Sequence, residues 1–208
     1  MTITYPLTMP ATPDFSSIRS VGQSVVATSI SPFTRKSQKQ VHQGDGWAFD
    51  LKLPPMTRAQ AGAWIAFLLQ CNGQEGTFYF GHAGTMTPIG TVGGTPVVDG
   101  AGQTGKVLNT RGWNPESGVL LAGDYIQIGT GATSRLYMNL VDVDASAASP
   151  EGAAALDIYP RLRESPADAD SIVVSAPVGL FELLSNEMSW DIGEAVFYGL
   201  NFGIREAQ

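Results

Sequence analysis

The residues with the most suggestive spacing are Gly100-Ala101-Gly102-Gln103-Thr104-Gly105-Lys106, a G-x-x-x-x-G-K pattern. In a phosphate-binding loop, backbone N–H groups cradle the phosphates, the lysine reaches them, and a following Ser or Thr holds Mg2+. Here Val107 stands in the Ser/Thr place. The segment VLNTRGW that follows reads as strand and turn where a helix is required, and no parallel βα alternation surrounds it. A Gly-rich hairpin is the better reading, and no cofactor is assigned.

The other chemically capable residues are scattered. His42 and His82 have no His, Cys or carboxylate at ligand spacing, so no metal site is assigned. Asp142/Asp144 and Asp168/Asp170 are D-x-D pairs, but a Ca2+ or Mg2+ site needs more oxygens and a shaped loop, so they read as solvated acids. Ser17, Ser24 and Ser185 lie outside any G-x-S-x-G context, and the single cysteine, Cys71, reads as a small apolar side chain. No catalytic residues are assigned and no enzyme is expected. The aromatic runs Phe78-Tyr79-Phe80 and Phe197-Tyr198 could form a sugar platform, though core packing explains them better.

The elements that would position these residues are mostly strands. Trp47, Phe49, Leu51 and Leu53 alternate with Ala48, Asp50 and Lys52, the period of a half-buried strand. Pro54-Pro55 ends it, because proline offers no N–H. One helix follows, predicted over residues 57–72. Thr57 and Gln60 match a capping box, Ala61, Trp64, Ile65 and Leu68 form an apolar stripe, and Asn72-Gly73 supplies the stop. Strands are expected at Ser24–Ile30, Thr77–Phe80, Asp124–Gly129, Arg135–Val143, Ala155–Tyr159, Ile172–Val174 and Val178–Leu184. Val196, Tyr198, Leu200, Phe202 and Ile204 alternate in a final long strand, read as a sheet edge that could continue across subunits. Between residues 34 and 43, Arg35, Lys36 and Lys39 lie in an exposed hairpin or loop, which reads either as a solvated face or as a contact with an acidic neighbouring subunit.

Composition supports a turn-rich β protein. Charged residues are 15 % and Gly is 24 of 208, a combination that fits a chain hiding surface in an assembly. The formal net charge of −7 argues against gripping nucleic acid by its phosphates. Residues 82–176 carry ten acidic and five basic side chains, which suggests a separately solvated unit. The start of the chain has no basic segment leading into an apolar one, so no signal peptide is read there, and a chain made in a cytoplasm is expected. No apolar run reaches the roughly 18 residues of a membrane span.

These readings combine into a mainly β fold, a β-rich α+β arrangement. Residues 1–81 and 177–208 form one β domain with its flanking helix, and residues 82–176 form an inserted small β-barrel whose ends lie close together.

Several stretches carry a resemblance. LPPMTRAQAGAWIAFLLQCNGQEGTFYFG, GAGQTGKVLNTRGW, LLAGDYIQIG, LDIYPRLRESPAD and SNEMSWDIGEAVFYGLNFGIREA resemble segments of tail proteins from long-tailed bacteriophages. The two-part layout is similar to distal tail proteins. That resemblance implies a tail-tube-like split β-barrel or sandwich forming a ring, usually of six subunits, and an outward OB-like or galectin-like domain. It implies a place in the virion, at the tail tip, with the tail-tube protein, the hub or baseplate protein and the tape-measure protein as partners. DNA would pass only in transit, and a negative chain suits that. Arg35, Lys36, Lys39, Val196, Tyr198, Leu200 and Phe202 are the expected subunit contacts. The alternatives are another tail-tip component or a host-surface carbohydrate-binding module.

Overall fold

The computed structural model describes residues 3–147, 152–193 and 197–207. It is mainly β, with one long helix. The first part of the chain gives β1 (Leu7–Thr8), β2 (Ser17–Gln23), β3 (Val26–Ile30), β4 (Ser37–Val41), β5 (Gly46–Lys52), α1 (Arg58–Gln70) and β6 (Thr77–Phe80). After the short turn of helix α2 (Ala83–Met86) come β7 (Gly94–Val98), β8 (Val107–Trp113), β9 (Tyr125–Ile128), β10 (Arg135–Asn139), β11 (Ala154–Tyr159) and β12 (Ile172–Val173). The chain ends with β13 (Gly179–Leu183), β14 (Asp191–Ile192), β15 (Tyr198–Gly199) and β16 (Asn201–Glu206).

One six-stranded sheet has the order β1-β6-β13-β16-β5-β2. β1 and β6 are parallel, and the other pairs are antiparallel. The alternation in β5 buries Phe49 and Leu51 and exposes Asp50 and Lys52. Phe49, Phe80 and Phe181 meet at ring-centroid distances of 4.9–5.5 Å. Helix α1 packs onto this cluster through Ala61, Trp64, Phe67 and Leu68. Its start is fixed as its sequence predicts: Gln60 Oε1 accepts the Thr57 backbone N–H at 3.1 Å. Its end is fixed by Asn72 and Gly73, both in the left-handed region at φ +50° and +68°.

The other six strands run β12-β9-β10-β11-β8-β7, all antiparallel. The sheet closes on itself. Val98 donates to the Asp170 carbonyl at 2.9 Å, Ala169 donates to the Val98 carbonyl at 3.0 Å, and Val97 bridges Ser171. β9, β10 and β11 form a meander, and β8 lies beside β11 after a long connection, a Greek-key arrangement. Val98, Leu108, Ile126, Leu156 and Ile158 fill the interior with almost no exposure.

The chain leaves the first sheet at Gly81 and returns at Pro177. These two points touch. A Cβ on Gly81 would stand 2.2 Å from the Pro177 carbonyl oxygen, so a side chain there is excluded.

Several elements differ from the sequence expectation. The long strand expected from Val196 onward is broken: Val196 lies outside the described residues, β15 pairs with β14, and only β16 joins the sheet. β10 stops at Asn139, because its buried side-chain amide turns to the Leu121 and Val141 carbonyls. β2, for which the sequence analysis gives no strand, occupies an edge of the sheet, and most of its residues are exposed.

Residues 82–176 are not separately solvated. Tyr125 of β9 and Leu136 of β10 point out of the barrel into the core of the first sheet, while Ile126 and Tyr137 point inward. Both faces of these strands are therefore buried, and their alternation cannot show as polar against apolar.

Candidate functional site: an exposed basic hairpin and a polar junction

Strands β3 and β4 pair only with each other, five residues against five, and every one of those ten residues is exposed. They form an arm between β2 and β5. Ser31 and Lys36 close its turn, with the Ser31 N–H donating to the Lys36 carbonyl at 3.0 Å. Arg35 takes φ +54° at that turn. Phe33 stands at the tip, 94 % exposed, with Ile30 and Val41 also bare. Residues 24–44 contain Arg35, Lys36 and Lys39 and no acid, in a chain of net charge −7.

The structure thus gathers three of the expected contact residues, Arg35, Lys36 and Lys39, on one projecting element. It separates the rest. Leu200 and Phe202 are buried in the core, and β16 is hydrogen-bonded on both sides, to β5 and β13. They cannot be a free edge. The alternation that suggested an edge is the signature of an interior strand with one face on the core. Tyr198 is half-buried, its backbone exchanging hydrogen bonds with Met56. The sheet's actual ends are β1 and β2. Phe33, the exposed aromatic at the tip, was not singled out by sequence reasoning. Its signal was a lone aromatic beside Pro32, inside a stretch without acids.

At the base of the arm the barrel meets the first sheet through buried ions. Asp45, 3 % exposed, accepts from Arg161 Nε at 2.8 Å and from the Arg161 backbone at 3.1 Å, and Lys106 Nζ lies 3.6 Å away. Burial pushes the Asp45 pKa up, but the hydrogen bonds from Arg161 outweigh it and hold the carboxyl below its ordinary value. Tyr159 Oη sits 2.5 Å from the Gln23 carbonyl, and its ring meets Trp47 edge-on at 4.9 Å. A cavity of about 400 Å3 lies alongside, lined by Gln23, Gly44, Trp47, Arg163, Glu182 and Glu206 among others.

Glu206 is buried there. Its Oε2 accepts from Arg163 Nη2 at 3.2 Å, and its Oε1 has no partner among the described residues. Burial raises its pKa, and the Arg163 charge offsets only part of that. The two carboxylates therefore act with opposite sign. The stability from Asp45 is complete above the ordinary carboxylate range and is lost as pH falls through its lowered folded value. Glu206 binds its proton more tightly in the fold, so stability declines as pH rises from the ordinary range through its raised value. Glu206→Gln removes the second effect alone. In urea titrations its stability should gain on the wild type as pH rises above the ordinary carboxylate range. A difference that stays flat or shrinks with that rise contradicts this assignment.

The chemically suggestive motifs have structural partners. The loop of residues 100–106 joins β7 to β8, and the Gln103 amide fills it, donating to the Asp99, Gly100 and Asn109 carbonyls and accepting from the Asn109 N–H. Asp168 accepts from Arg111 and Gly100, and Asp170 from Ala167. Asp142 and Asp144 accept the Ala122 and Gly118 amides. His82 lies 3.3 Å from Asp14. Cys71 is buried, and burial lifts its thiol to about 11, so it stays protonated and unreactive near neutral pH. Among the described residues, no helix is long and apolar enough to cross a membrane.

Neither a protein-family model nor a curated protein matches this chain.

Proposed function

We propose that this chain is a structural virion protein, a distal tail protein whose copies close into a ring at the tail tip of a long-tailed bacteriophage. The observation that carries the proposal is the β3–β4 arm. A lone two-stranded hairpin is at best marginally stable in water. This one has an exposed apolar tip, Phe33, and three cations on a negatively charged chain. Such an arm gains order and burial only against another surface.

Three further points support the same role. The first sheet ends in β1 and β2, whose outer backbone groups can pair with a neighbour. A closed ring is the arrangement that covers such edges without leaving new ones. The motif resemblance supplies the location: between the tail-tube protein and the hub or baseplate protein, near the tape-measure protein, with the barrel turned outward. A net charge of −7 lets DNA pass without being held. The role is scaffolding rather than catalysis.

Antibodies raised against this chain test the proposal on whole virions. Gold label at the end of the tail farthest from the head is expected. Label on the head, or particles that carry none of the chain, would contradict it.

A further inference from the structure

Apolar exposure on this molecule is concentrated in two places. Fifteen large hydrophobic side chains are exposed among the described residues. Five of them (Val25, Val26, Ile30, Phe33, Val41) are on the arm or at its base, and four (Leu184, Trp190, Ile192, Phe197) lie between residues 184 and 197. Of the second group, Trp190, Ile192 and Phe197 lie on or beside the small β14–β15 hairpin. Its exposure is substantial, at 39 % for Trp190, 57 % for Ile192 and 50 % for Phe197.

The charges of the two places are opposite. Residues 24–44 hold three basic side chains and no acid. Among residues 184–193 and 197, Glu187 and Asp191 are acidic and none is basic. Arg35, Lys36, Lys39, Glu187 and Asp191 are all exposed, so neither patch covers the other within one chain. An apolar surface with a cationic rim and an apolar surface with an anionic rim are complementary.

We infer that the arm of one copy docks on a second copy at the surface carrying Glu187, Trp190, Asp191, Ile192 and Phe197. Phe33 and Ile30 would meet Trp190, Ile192 and Phe197, with Arg35, Lys36 and Lys39 facing Glu187 and Asp191. The occupant is another copy because this chain itself carries both halves of the match. The contact is head-to-tail, so each copy gives one arm and receives one, and repetition closes a ring or runs on as a filament. The inference rests on the self-association in the proposed function and adds which surfaces meet.

Charge exchange tests it. Arg35→Glu/Lys36→Glu/Lys39→Glu changes the arm, and Glu187→Lys/Asp191→Lys changes the receiving surface. Because these positions are exposed, the thermal unfolding midpoint of each protomer should stay near that of the wild type. Each variant alone should self-associate at least about tenfold more weakly by analytical ultracentrifugation. Mixed together they should co-assemble, because every contact in an alternating ring again pairs opposite charges. Phe33→Ser, which leaves charge untouched, should also weaken association. If wild-type protein assembles and the exchanged variants assemble equally well, the arm docks elsewhere and this inference alone fails. If the wild type stays monomeric at all concentrations, this inference and the ring-forming role both fail.

Discussion

Trp64→Ala should cost about 3–5 kcal/mol of folding free energy, the usual range for truncating a buried large aromatic. Trp64 is 1 % exposed and sits where α1 crosses the sheet. Its ring lies 5.5 Å from Phe15, 6.1 Å from Phe67 and 6.1 Å from Phe202. It thus joins the N-terminal segment, the helix and the C-terminal strand in one contact set. Its Nε1 is buried without a partner among the described residues, a standing cost that the alanine variant sheds, so the lower half of the range is expected. Since a domain is commonly stable by only about 5–15 kcal/mol, the melting temperature should drop markedly. Urea unfolding measures it. A loss under about 1 kcal/mol would mean that α1 is not what closes this core.

The second large effect lies at the junction. Asp45→Ala should cost about 3 kcal/mol, the low end for breaking a buried ion pair, because Arg161 and Lys106 keep some contact with water. It removes the acceptor for Arg161 and leaves that guanidinium between barrel and sheet. The double variant Asp45→Ala/Arg161→Ala should be less damaged than the two single losses added together, by about 1–3 kcal/mol. Simple additivity would show that the Asp45–Arg161 pair does not help to seat the barrel.

The readable parts of this fold are those where one face is wet. β5 showed its alternation because Asp50 and Lys52 face solvent while Phe49 and Leu51 face the core. Helix α1 was legible for the same reason, and its ends were marked by local hydrogen bonding at Thr57 and Asn72. β9 was harder, since Tyr125 and Ile126 serve two different cores and no polar face remains. Burial on both sides also concealed that the barrel shares a core with the first sheet. Charge counting by segment misled there, because Asp45 of one part is paired with Arg161 and Lys106 of the other.

The candidate contact surface was half legible. Cations without acids marked Arg35, Lys36 and Lys39 directly. Leu200 and Phe202 misled because alternation tells which face is buried and not whether a strand lies at an edge. Edge position depends on pairing between distant segments, and β5 and β13 flank β16 from far along the chain.

The central claim is that this chain is built to assemble with copies of itself. Native mass measurement of the purified wild-type protein, with negative-stain images of the same sample, tests it most directly. A single closed species of several protomers, ring-shaped in projection and six-membered if it follows the distal tail family, is the result expected. A monomer at every concentration up to the solubility limit would contradict it.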